Sequence, residues 1–413
     1  MPRAIHWRTD DARISLPVAR RSGSRAQLTW AIFSLLIATL GSLGWVYHRR
    51  QVDFEVYLMG ARHLKSSHLY SLVLPGVHLP FTYPPFATLF FWPFTLVPTG
   101  VALVLWATLN LAALLAVLAV TLLNVRPEQR PAGAAVPWLL VAMLAGPAVL
   151  IEPVMLDLSF GQVNVVLLGI ILLDLTTRIT VGSREIPRGV GVGVAAAIKL
   201  VPVIFIPFLI VTRQFRAAAT AVITIAVCAL GAFAFNPSAS KAYWTKYVND
   251  QARIGNVIYV SNQSVQGALD RVTHHLWSSL PMESVQAVFV LVGIALGWWA
   301  WRSSSTFLGV LVVGDASLLA SPITWAHHMV WIVPILLWLW WGRDRPTHSR
   351  PWALAVGALF YVAPMWILPH GPNFDNHERG WSLLLSNSFT LAALLMMIVV
   401  TAMLISRRPR HSI

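Results

Sequence analysis

The chain has 413 residues, of which 57% are hydrophobic and only 11% are charged. A soluble domain carries about 25% charged residues, so the composition excludes that class, a disordered chain and a disulfide-rich secreted module. The apolar runs are continuous rather than alternating, which favours a helical membrane protein over a β-barrel. The single cysteine, Cys228, excludes an intramolecular disulfide.

The net charge of +14 indicates membrane anchoring. In a soluble protein such an excess of basic residues would point to nucleic acid. Here many of the arginines lie at the two ends and between the apolar runs, where they can contact anionic lipid headgroups. We therefore expect membrane lipids as partners and no nucleic acid.

The first predicted element in chain order is a basic tail, residues 1–27. The apolar run that follows, residues 28–47, is too long for a signal-peptide core and has no small-residue cleavage site after it, so it predicts an uncleaved signal anchor. Basic residues before this run and in a second tail, residues 406–413, predict that both ends are cytoplasmic. Between the tails we expect one polytopic transmembrane domain, residues 28–405.

Twelve apolar runs predict an all-α integral membrane protein, a bundle of about twelve transmembrane helices. They cover residues 28–47, 82–98, 101–123, 136–151, 161–177, 189–212, 216–236, 284–301, 305–321, 325–341, 352–368 and 383–405. Twelve is an even number, as two cytoplasmic ends require. No repeat of fixed period is visible.

Two arginine-containing loops conflict with this arrangement. Loops 124–135 and 178–188 would lie outside, whereas the positive-inside rule predicts that they lie inside. Both loops move inside if runs 82–98 and 189–212 are broken or re-entrant. A Pro-Pro pair in the first run and Lys199 in the second offer break points.

Two long connections, residues 48–81 and 237–283, lie outside under either arrangement. Both mix aromatic, charged and amide residues, and neither is of low complexity. Binding and catalytic residues are concentrated on such loops when a rigid scaffold holds them. The two outer loops therefore predict a site at the outer face.

The first outer loop begins with a motif whose first acidic residue is Asp53. Apolar residues recur at helical spacing from Phe54 to Leu64, which predicts a short amphipathic helix on the membrane surface. Asp53 at its start either caps the helix N-terminus or serves as a general base that takes a proton from a hydroxyl. Glu55 faces elsewhere on a helix, and we treat it as secondary.

Lys199 lies within an apolar stretch of about twenty residues. A lysine at bilayer depth is costly unless it is paired or hydrated, so it indicates a functional site. An anion such as a phosphate is its natural partner. The alternative is that the side chain extends to the interface.

Other polar groups lie next to apolar runs. Tyr83 precedes Pro84-Pro85, which marks a helix start or a rigid corner lining a sugar or lipid groove. Gln162 and Asn164 begin another run, where amides satisfy backbone groups or bind polyol hydroxyls. Between Tyr243 and Gln266 the second outer loop is dense in amides and aromatics, and it is either a ligand wall or an ordinary structured loop.

The pair His327-His328 follows Trp325 at the outer border of two runs. Adjacent residues on a helix point about 100° apart, so we expect only one histidine to face a given ligand. The spacing does not suit zinc, which favours a phosphate contact or proton transfer, or else a histidine bonded to backbone. A second pair, His274-His275, has no helical context and is expected to be an ordinary loop pair.

Five short motifs in this order resemble glycosyltransferase family 87, membrane-embedded enzymes of the GT-C fold. They are Asp53-Phe54-Glu55-Val56-Tyr57, Tyr83-Pro84-Pro85, Gly161-Gln162-Val163-Asn164, Lys199-Leu200-Val201-Pro202 and Ser321-Pro322 leading to His327-His328. Within the family the chain is most similar to enzymes that transfer mannose from a polyprenyl phosphate to phosphatidylinositol mannosides in α-1,2 linkage. The resemblance covers most of the chain.

The resemblance implies a polyprenyl-phosphate-mannose donor, a mannosylated glycolipid acceptor and a plasma-membrane enzyme with its site on the outer face. It also implies a catalytic role for Asp53, while Phe54 between the two acidic residues disfavours a metal there, and no cofactor is expected. The remaining expected site residues are His327 for catalysis, Lys199 and His328 for the donor phosphate, and Glu55, Tyr57, Tyr83, Gln162, Asn164, Arg253 and Trp325 for substrate.

Three other interpretations remain open at this point. The sugar is arabinofuranose or glucose from the same kind of carrier, or the protein is a transporter or flippase of a lipid-linked sugar. Broken spans and an intramembrane lysine fit a transporter, although two related halves are not visible. A structural scaffold leaves Lys199 and the polar outer loops unexplained.

Overall fold

The computed structural model describes residues 12–13, 24–49, 51–125, 136–181, 184–273, 282–371 and 378–407. Within these residues the chain is mostly helical. The helices are α1 Arg25–Arg49, α2 Val52–Arg62, α3 Phe86–Phe91, α4 Thr99–Val125, α5 Trp138–Leu150, α6 Glu152–Phe160, α7 Asn164–Thr176, α8 Val190–Ile198, α9 Phe205–Val211, α10 Phe215–Phe235, α11 Pro237–Ala242, α12 Val265–Thr273, α13 Met282–Ser303, α14 Thr306–Ala320, α15 Ile332–Trp341, α16 Ser349–Val362, α17 Ser382–Ser386 and α18 Ser388–Ser406.

The described part of the chain also contains six two-residue strands, which form three small pairs. They are β1 Ala12–Arg13, β2 Val73–Leu74, β3 Leu79–Pro80, β4 Thr177–Arg178, β5 Thr180–Val181 and β6 Arg184–Glu185. Strand β1 pairs in parallel with β4, while β2–β3 and β5–β6 are antiparallel. The predicted tails 1–27 and 406–413 and the loop 124–135 fall largely outside the described residues, and His274-His275 falls wholly outside them.

Five helices in the described part of the chain are long and apolar enough to cross a membrane, and they are α1, α4, α10, α13 and α18. The number rises to six if α5 and α6, which meet at a bend of 80°, form one span. The chain is therefore a multi-pass helical membrane protein, as the composition indicates. The count of twelve spans is not confirmed, because several of the predicted runs form shorter or broken helices.

Run 189–212 is broken at Lys199. Helix α8 ends at Ile198, Lys199 is extended (φ −147°, ψ 126°), and a 3-10 turn, Val201–Ile204, leads into α9. Proline fits the start of such a turn because no intrahelical partner is needed there. Arg188 donates from Nη1 to Gln214 Oε1 at 3.1 Å, so the two ends of the run meet. The run is thus a hairpin with Lys199 at its tip rather than one straight helix.

Run 82–98 is broken as well. It forms only α3 and a 3-10 helix, Trp92–Leu96, before α4 begins. Arg62 at the end of α2 donates to Thr99 Oγ1 at 2.8 Å, so the start of α4 lies beside the first outer loop. Run 189–212 is therefore interrupted at the expected position, whereas in run 82–98 the Pro84-Pro85 pair stands at the start of α3 and the run is only a short helical segment.

Arginines from several connections gather at one end of the bundle. One wide cavity is lined by Arg178, Arg188, Arg213, Arg216, Arg302 and Arg343. The same end receives the C-terminal part of α18, where Arg407 donates to Asp344 O at 2.9 Å. We call this the basic end. Loop 178–188 therefore lies at the same end as the other basic connections. The twelve-span arrangement puts this loop on the opposite side of the membrane and is wrong on this point.

Helix α2 is enclosed rather than half exposed. Its predicted apolar positions are buried, but Val56, Tyr57 and Met59 are buried too. Phe54 stacks on Trp106 of α4 with ring centroids 5.0 Å apart. The prediction of an amphipathic helix is therefore too simple, because α2 packs on more than one side and its position is fixed by the core.

A close backbone approach joins α2 to the end of α6. Gly161 has φ +67°, and a Cβ there would lie 2.7 Å from Gln51 Cβ and 2.8 Å from Phe54 Cβ. Trp106 donates from Nε1 to Gly161 O at 2.7 Å, which holds the turn in place. Glycine is thus required where α6 ends against the start of α2.

Gly161→Ala is therefore expected to lower the free energy of unfolding by about 1–3 kcal/mol through overpacking. Thermal unfolding in detergent measures the change. Gly231→Ala in α10 is the control, because a Cβ there meets nothing within 4 Å. Equal melting temperatures for wild type and Gly161→Ala would contradict the close approach.

Candidate active site

The Asp53 carboxylate is held by an amide rather than by its own helix. Gln162 Nε2 donates to Asp53 Oδ2 at 2.8 Å. The N-cap of α2 is Gln51, which makes no side-chain capping bond, and Asp53 lies within the first turn. Asp53 is half-buried, and its Oδ1 accepts no hydrogen bond from the described residues. The capping alternative is therefore not what the structure shows.

Two tyrosines orient the Gln162 amide. The hydroxyl groups of Tyr57 and Tyr83 lie 2.8 and 3.1 Å from Gln162 Oε1 and 2.7 Å from each other, so one donates to the other and the remaining proton is donated to the amide oxygen. Burial raises the pKa of Tyr57 well above its ordinary value, so its hydroxyl stays protonated. Because a hydroxyl donor meets the carbonyl end of the amide, its NH₂ end must face Asp53. Gln162 is thus a positioning residue for the carboxylate.

Lys199, at the tip of the hairpin, contacts two other site residues. Its Nζ donates to Asn164 Oδ1 at 2.8 Å and lies 3.1 Å from His328 Nε2. An ammonium has only donors, so His328 accepts at Nε2 and carries its proton on Nδ1. The third N–H of Lys199 donates to none of the described residues, which leaves it for a ligand.

The Asp53 and Lys199 groups belong to one network. Lys199 Nζ lies 5.7 Å from the centre of the Tyr83 ring, and the Tyr83 hydroxyl bonds the Gln162 that holds Asp53. A carboxylate and an ammonium from distant parts of the sequence thus face the same region. The hairpin tip, α2 and the start of α7 together bring them there.

His327 differs from its neighbour. Its ring lies edge-on to Phe160 and to His328, with centroids 5.7 and 4.8 Å away. Both ring nitrogens are buried, and neither forms a hydrogen bond with any of the described residues. The two rings therefore make different contacts, and only His328 contacts Lys199.

Asp157 is a site residue that the sequence analysis missed. It is fully buried on α6 and accepts a hydrogen bond from Asn164 Nδ2 at 2.8 Å. Asn164 in turn bonds Lys199, so Asp157 belongs to the same network. The available signal was a carboxylate in the short, largely apolar segment between runs 136–151 and 161–177, similar to the signal that singled out Lys199.

Three predicted substrate residues are not part of this network. Glu55 is partly exposed and makes no side-chain hydrogen bond among the described residues. Arg253 donates to Tyr70 O and lies over the Tyr247 ring at 4.5 Å. Trp325 packs on Tyr259 with centroids 6.0 Å apart.

The amides of the second outer loop are structural where they are buried. Asn262 and Gln263 are fully buried, and Gln263 bonds Ser386 O, Phe389 N and Thr390 N. Asn262 accepts from Thr324 N at 2.9 Å. These bonds tie the loop to α18 and to the segment before His327, so for these residues the structured-loop alternative is correct.

An apolar groove begins beside the network. It is narrow and is lined by residues that include Pro84, Pro85, Ala196, Leu200, Ala229 and Trp244. Leu200 follows Lys199 directly, and Pro84 follows Tyr83. The groove therefore lies near the polar network, between α3, α8 and α10.

These groups support one kind of chemistry. Asp53 has a free oxygen that can accept a proton, while Lys199, held by His328, presents an N–H donor that stabilises an anion. In the described part of the chain, no three His, Cys, Asp or Glu side chains come together as metal ligands. The arrangement suits the attack of a hydroxyl on a group activated by phosphate.

Comparison with known proteins agrees with this chemistry. The profile of glycosyltransferase family 87 matches residues 81–322. The chain is 33% identical over 392 residues to the polyprenol-phosphate-mannose-dependent alpha-(1-2)-phosphatidylinositol pentamannoside mannosyltransferase of Mycobacterium tuberculosis (strain CDC 1551 / Oshkosh), covering 90% of this chain and 88% of that protein.

Two further relatives have similar names. The polyprenol-phosphate-mannose-dependent alpha-(1-2)-phosphatidylinositol mannoside mannosyltransferase of Mycolicibacterium smegmatis is 29% identical over 92% of this chain and 91% of its own length. The protein of the same name from Mycobacterium tuberculosis (strain ATCC 25618 / H37Rv) is 31% identical over 92% of both chains. No solved structure matches. From the family profile and these relatives together, the chain belongs to glycosyltransferase family 87.

Proposed function

We propose that the protein is an inverting mannosyltransferase that moves mannose from polyprenyl-phosphate-mannose to a phosphatidylinositol mannoside in α-1,2 linkage. The relatives' names supply the donor and acceptor classes. The observation that carries the mechanism is the single network joining Asp53, through Gln162 and Tyr83, to Lys199. It offers a base and a cation to one reaction centre.

In this mechanism Asp53 accepts the proton of the acceptor hydroxyl as the oxygen attacks the anomeric carbon. The bond from that carbon to the phosphate oxygen breaks, and the phosphate leaves with the electron pair. Lys199 stabilises its developing charge through the N–H that is left after its contacts with Asn164 and His328, and His328 contributes by holding the ammonium in place. One displacement inverts the configuration, so a β-linked donor gives an α-linked product.

The groove beside Leu200 suits the isoprenoid tail of the donor. Its lining is almost wholly apolar, and it ends at the residues next to Lys199 and Tyr83. A tail in this groove would place its phosphate near the Lys199 ammonium. The isoprenoid tail contacts the part of the groove that lies between Pro84-Pro85 and α10.

Acceptor binding falls to the exposed aromatic residues of the outer segments. Tyr259 and Trp325 are partly exposed and in contact, and aromatic faces pack well on sugar rings. His327, which lies two residues after Trp325, has both nitrogens unpaired and serves as a second polar contact near the reaction centre. The expected contacts of Glu55 and Arg253 with substrate require that these side chains move or that the acceptor extends to them.

For topology, we propose ten crossings with both ends in the cytoplasm. The crossing helices are α1, α4, α5, α7, α10, α13, α14, α15, α16 and α18. The hairpin around Lys199 and the segment α3 return to the side on which they start, as the Arg188–Gln214 and Arg62–Thr99 bonds indicate. The positive-inside rule then puts the basic end in the cytoplasm and the site at the outer face of the cell membrane.

The rate should depend on the protonation state of Asp53. Burial raises the pKa of this carboxyl from 3.8 to about 6, although Gln162 and Lys199 lower it in part. A general base must be ionised, so kcat/KM is expected to be flat above about pH 6 and to fall about tenfold per unit below it. A profile that is still flat at pH 4.5, with the protein folded, would exclude Asp53 as the base.

The reaction is expected to need no metal ion. A lipid phosphate is an activated leaving group, and Lys199, held by His328, supplies the positive charge that a cation would otherwise provide. Treatment with EDTA should therefore leave the transfer rate within about twofold of that of the untreated enzyme. Loss of a metal ion that stabilised the leaving phosphate would instead lower the rate by about 10²-fold or more. Restoration of a lost rate by Mg²⁺ or Mn²⁺ would contradict this.

The test of function is a transfer assay with purified protein. Polyprenyl-phosphate-mannose and defined phosphatidylinositol mannosides are mixed with it, and product mass and linkage are measured. A product one hexose larger, with a new α-1,2 bond, is the expected result. Transfer of arabinofuranose or glucose in place of mannose would change the donor, and movement of the lipid without a new glycosidic bond would contradict the proposal.

A further inference from the structure

Asp157 is a carboxylate buried completely within the site. It accepts a hydrogen bond from Asn164 Nδ2 at 2.8 Å, and Val165 N lies 3.5 Å from its other oxygen. A buried carboxylate is strongly disfavoured unless a positive charge and hydrogen bonds compensate it. The nearby positive charge is that of Lys199, which interacts with it electrostatically.

The carboxylate is the nearer of two acceptors that turn the Asn164 amide, since Asn164 Nδ2 also donates to His327 O at 3.3 Å. A carboxylate only accepts, so it selects the NH₂ end of the amide, and the carbonyl end is left facing Lys199. Lys199 Nζ donates to that carbonyl oxygen at 2.8 Å. The reverse orientation would place two N–H groups against an ammonium and leave a carbonyl against a carboxylate. Both contacts are repulsive.

We propose that Asp157 is a positioning residue for the donor phosphate, and the inference rests on the proposed function. It fixes Asn164, and Asn164 fixes the ammonium of Lys199. With one N–H on Asn164 and one on His328 Nε2, the third N–H of Lys199 has a defined direction. That N–H binds a phosphate oxygen of the lipid-linked donor. Asp157 itself touches neither substrate.

The test is binding of polyprenyl phosphate, without a sugar, to the purified full chain. Asp157→Asn keeps the size of the side chain but removes the charge and weakens the acceptor for Asn164 Nδ2, so that Asn164 is held on that side mainly by the longer contact with His327 O, 3.3 Å. We expect its dissociation constant for polyprenyl phosphate to rise about tenfold, which is one lost charge-assisted contact. In transfer assays the KM for the donor should rise similarly, with the acceptor KM unchanged.

Asp315→Asn is the matched control. Asp315 is a carboxylate on α14, 3% exposed, and one of its oxygens has no hydrogen-bond partner. It forms no hydrogen bond with the network around Lys199 among the described residues. If the loss of any buried charge weakens donor binding, the two substitutions should lower the affinity for polyprenyl phosphate equally. If Asp157 positions Lys199, only Asp157→Asn should lower it.

Two double variants separate positioning from general support of the fold. Exchange of the two side chains, Asp157→Asn with Asn164→Asp, returns a carboxylate next to Lys199 and should restore most of the donor affinity. In a Lys199→Met background, Asp157→Asn should cause no further loss, because the residue through which it acts is absent.

The inference is overturned if Asp157→Asn binds polyprenyl phosphate as wild type does. It is also overturned if the loss affects donor and acceptor equally and adds fully to that of Lys199→Met. These outcomes differ from failure of the proposed function, in which wild type binds the lipid phosphate but transfers no mannose. A wild-type protein without affinity for polyprenyl phosphate would contradict both.

Discussion

Replacement of Asp53 by asparagine should reduce the turnover number by about 10³-fold, within the range that a general base contributes. Asparagine has the same size and can still contact Gln162, which holds the Asp53 carboxylate at 2.8 Å. It cannot accept the proton of the acceptor hydroxyl. Donor binding and thermal stability should therefore remain close to those of the wild type while transfer is lost.

The control for this substitution is Glu283→Gln. Glu283 is also an acidic residue in the first turn of a helix, but it is exposed at the start of α13. If helix-dipole effects were the main contribution of such residues, both substitutions would have similar small effects. Turnover of Asp53→Asn within about tenfold of wild type would show that proton transfer is not its role, since a base contributes about 10²-fold or more.

Lys199→Met should lower kcat/KM for the donor by about 10²- to 10³-fold, the usual cost of losing one group that stabilises developing charge. Methionine keeps an unbranched side chain of similar length but removes the ammonium that bonds Asn164 and contacts His328. The effect should appear both in the affinity for polyprenyl phosphate and in the rate of the chemical step, because the leaving phosphate gains charge as its bond breaks.

Measurement combines donor binding with single-turnover transfer. Lys241→Met is the control, because Lys241 is exposed on α11 and belongs to the outer segments rather than to the network. Donor affinity equal to that of the wild type in Lys199→Met would contradict the phosphate role of this lysine. A loss of equal size in both lysine variants would indicate a general effect of surface charge.

Isolated polar groups in apolar sequence predicted much of the site. Lys199 was selected because a charge at bilayer depth is costly, Asp53 as a carboxylate just after the first run, and Gln162 and Asn164 as amides at the start of another run. The structure connects all four through hydrogen bonds and the contact of Lys199 with the Tyr83 ring. The argument that selected Lys199 also applies to Asp157, but Asp157 lies in the segment between two predicted spans and was therefore not considered. Its role depends on the bend between α5 and α6, which hydropathy does not reveal.

The number of membrane crossings could not be predicted from the sequence, for a related reason. A hairpin such as that around Lys199 is as apolar as a crossing helix, so composition cannot separate the two. In the sequence, only the arginines of loop 178–188 and the position of Lys199 indicated that this run is not a crossing helix. Similarly, Arg253 lies close in sequence to polar residues, yet its contact with the Tyr247 ring directs it to aromatic packing.

The most direct measurement is an experimental structure of the complex with a non-transferable polyprenyl-phosphate-mannose analogue and an acceptor mannoside. We predict that the acceptor hydroxyl lies within hydrogen-bond distance of Asp53, about 3 Å, and that the phosphate contacts Lys199 on the opposite face of the sugar. A phosphate bound away from Lys199, or an Asp53 closed off from any glycan, would contradict the proposed mechanism.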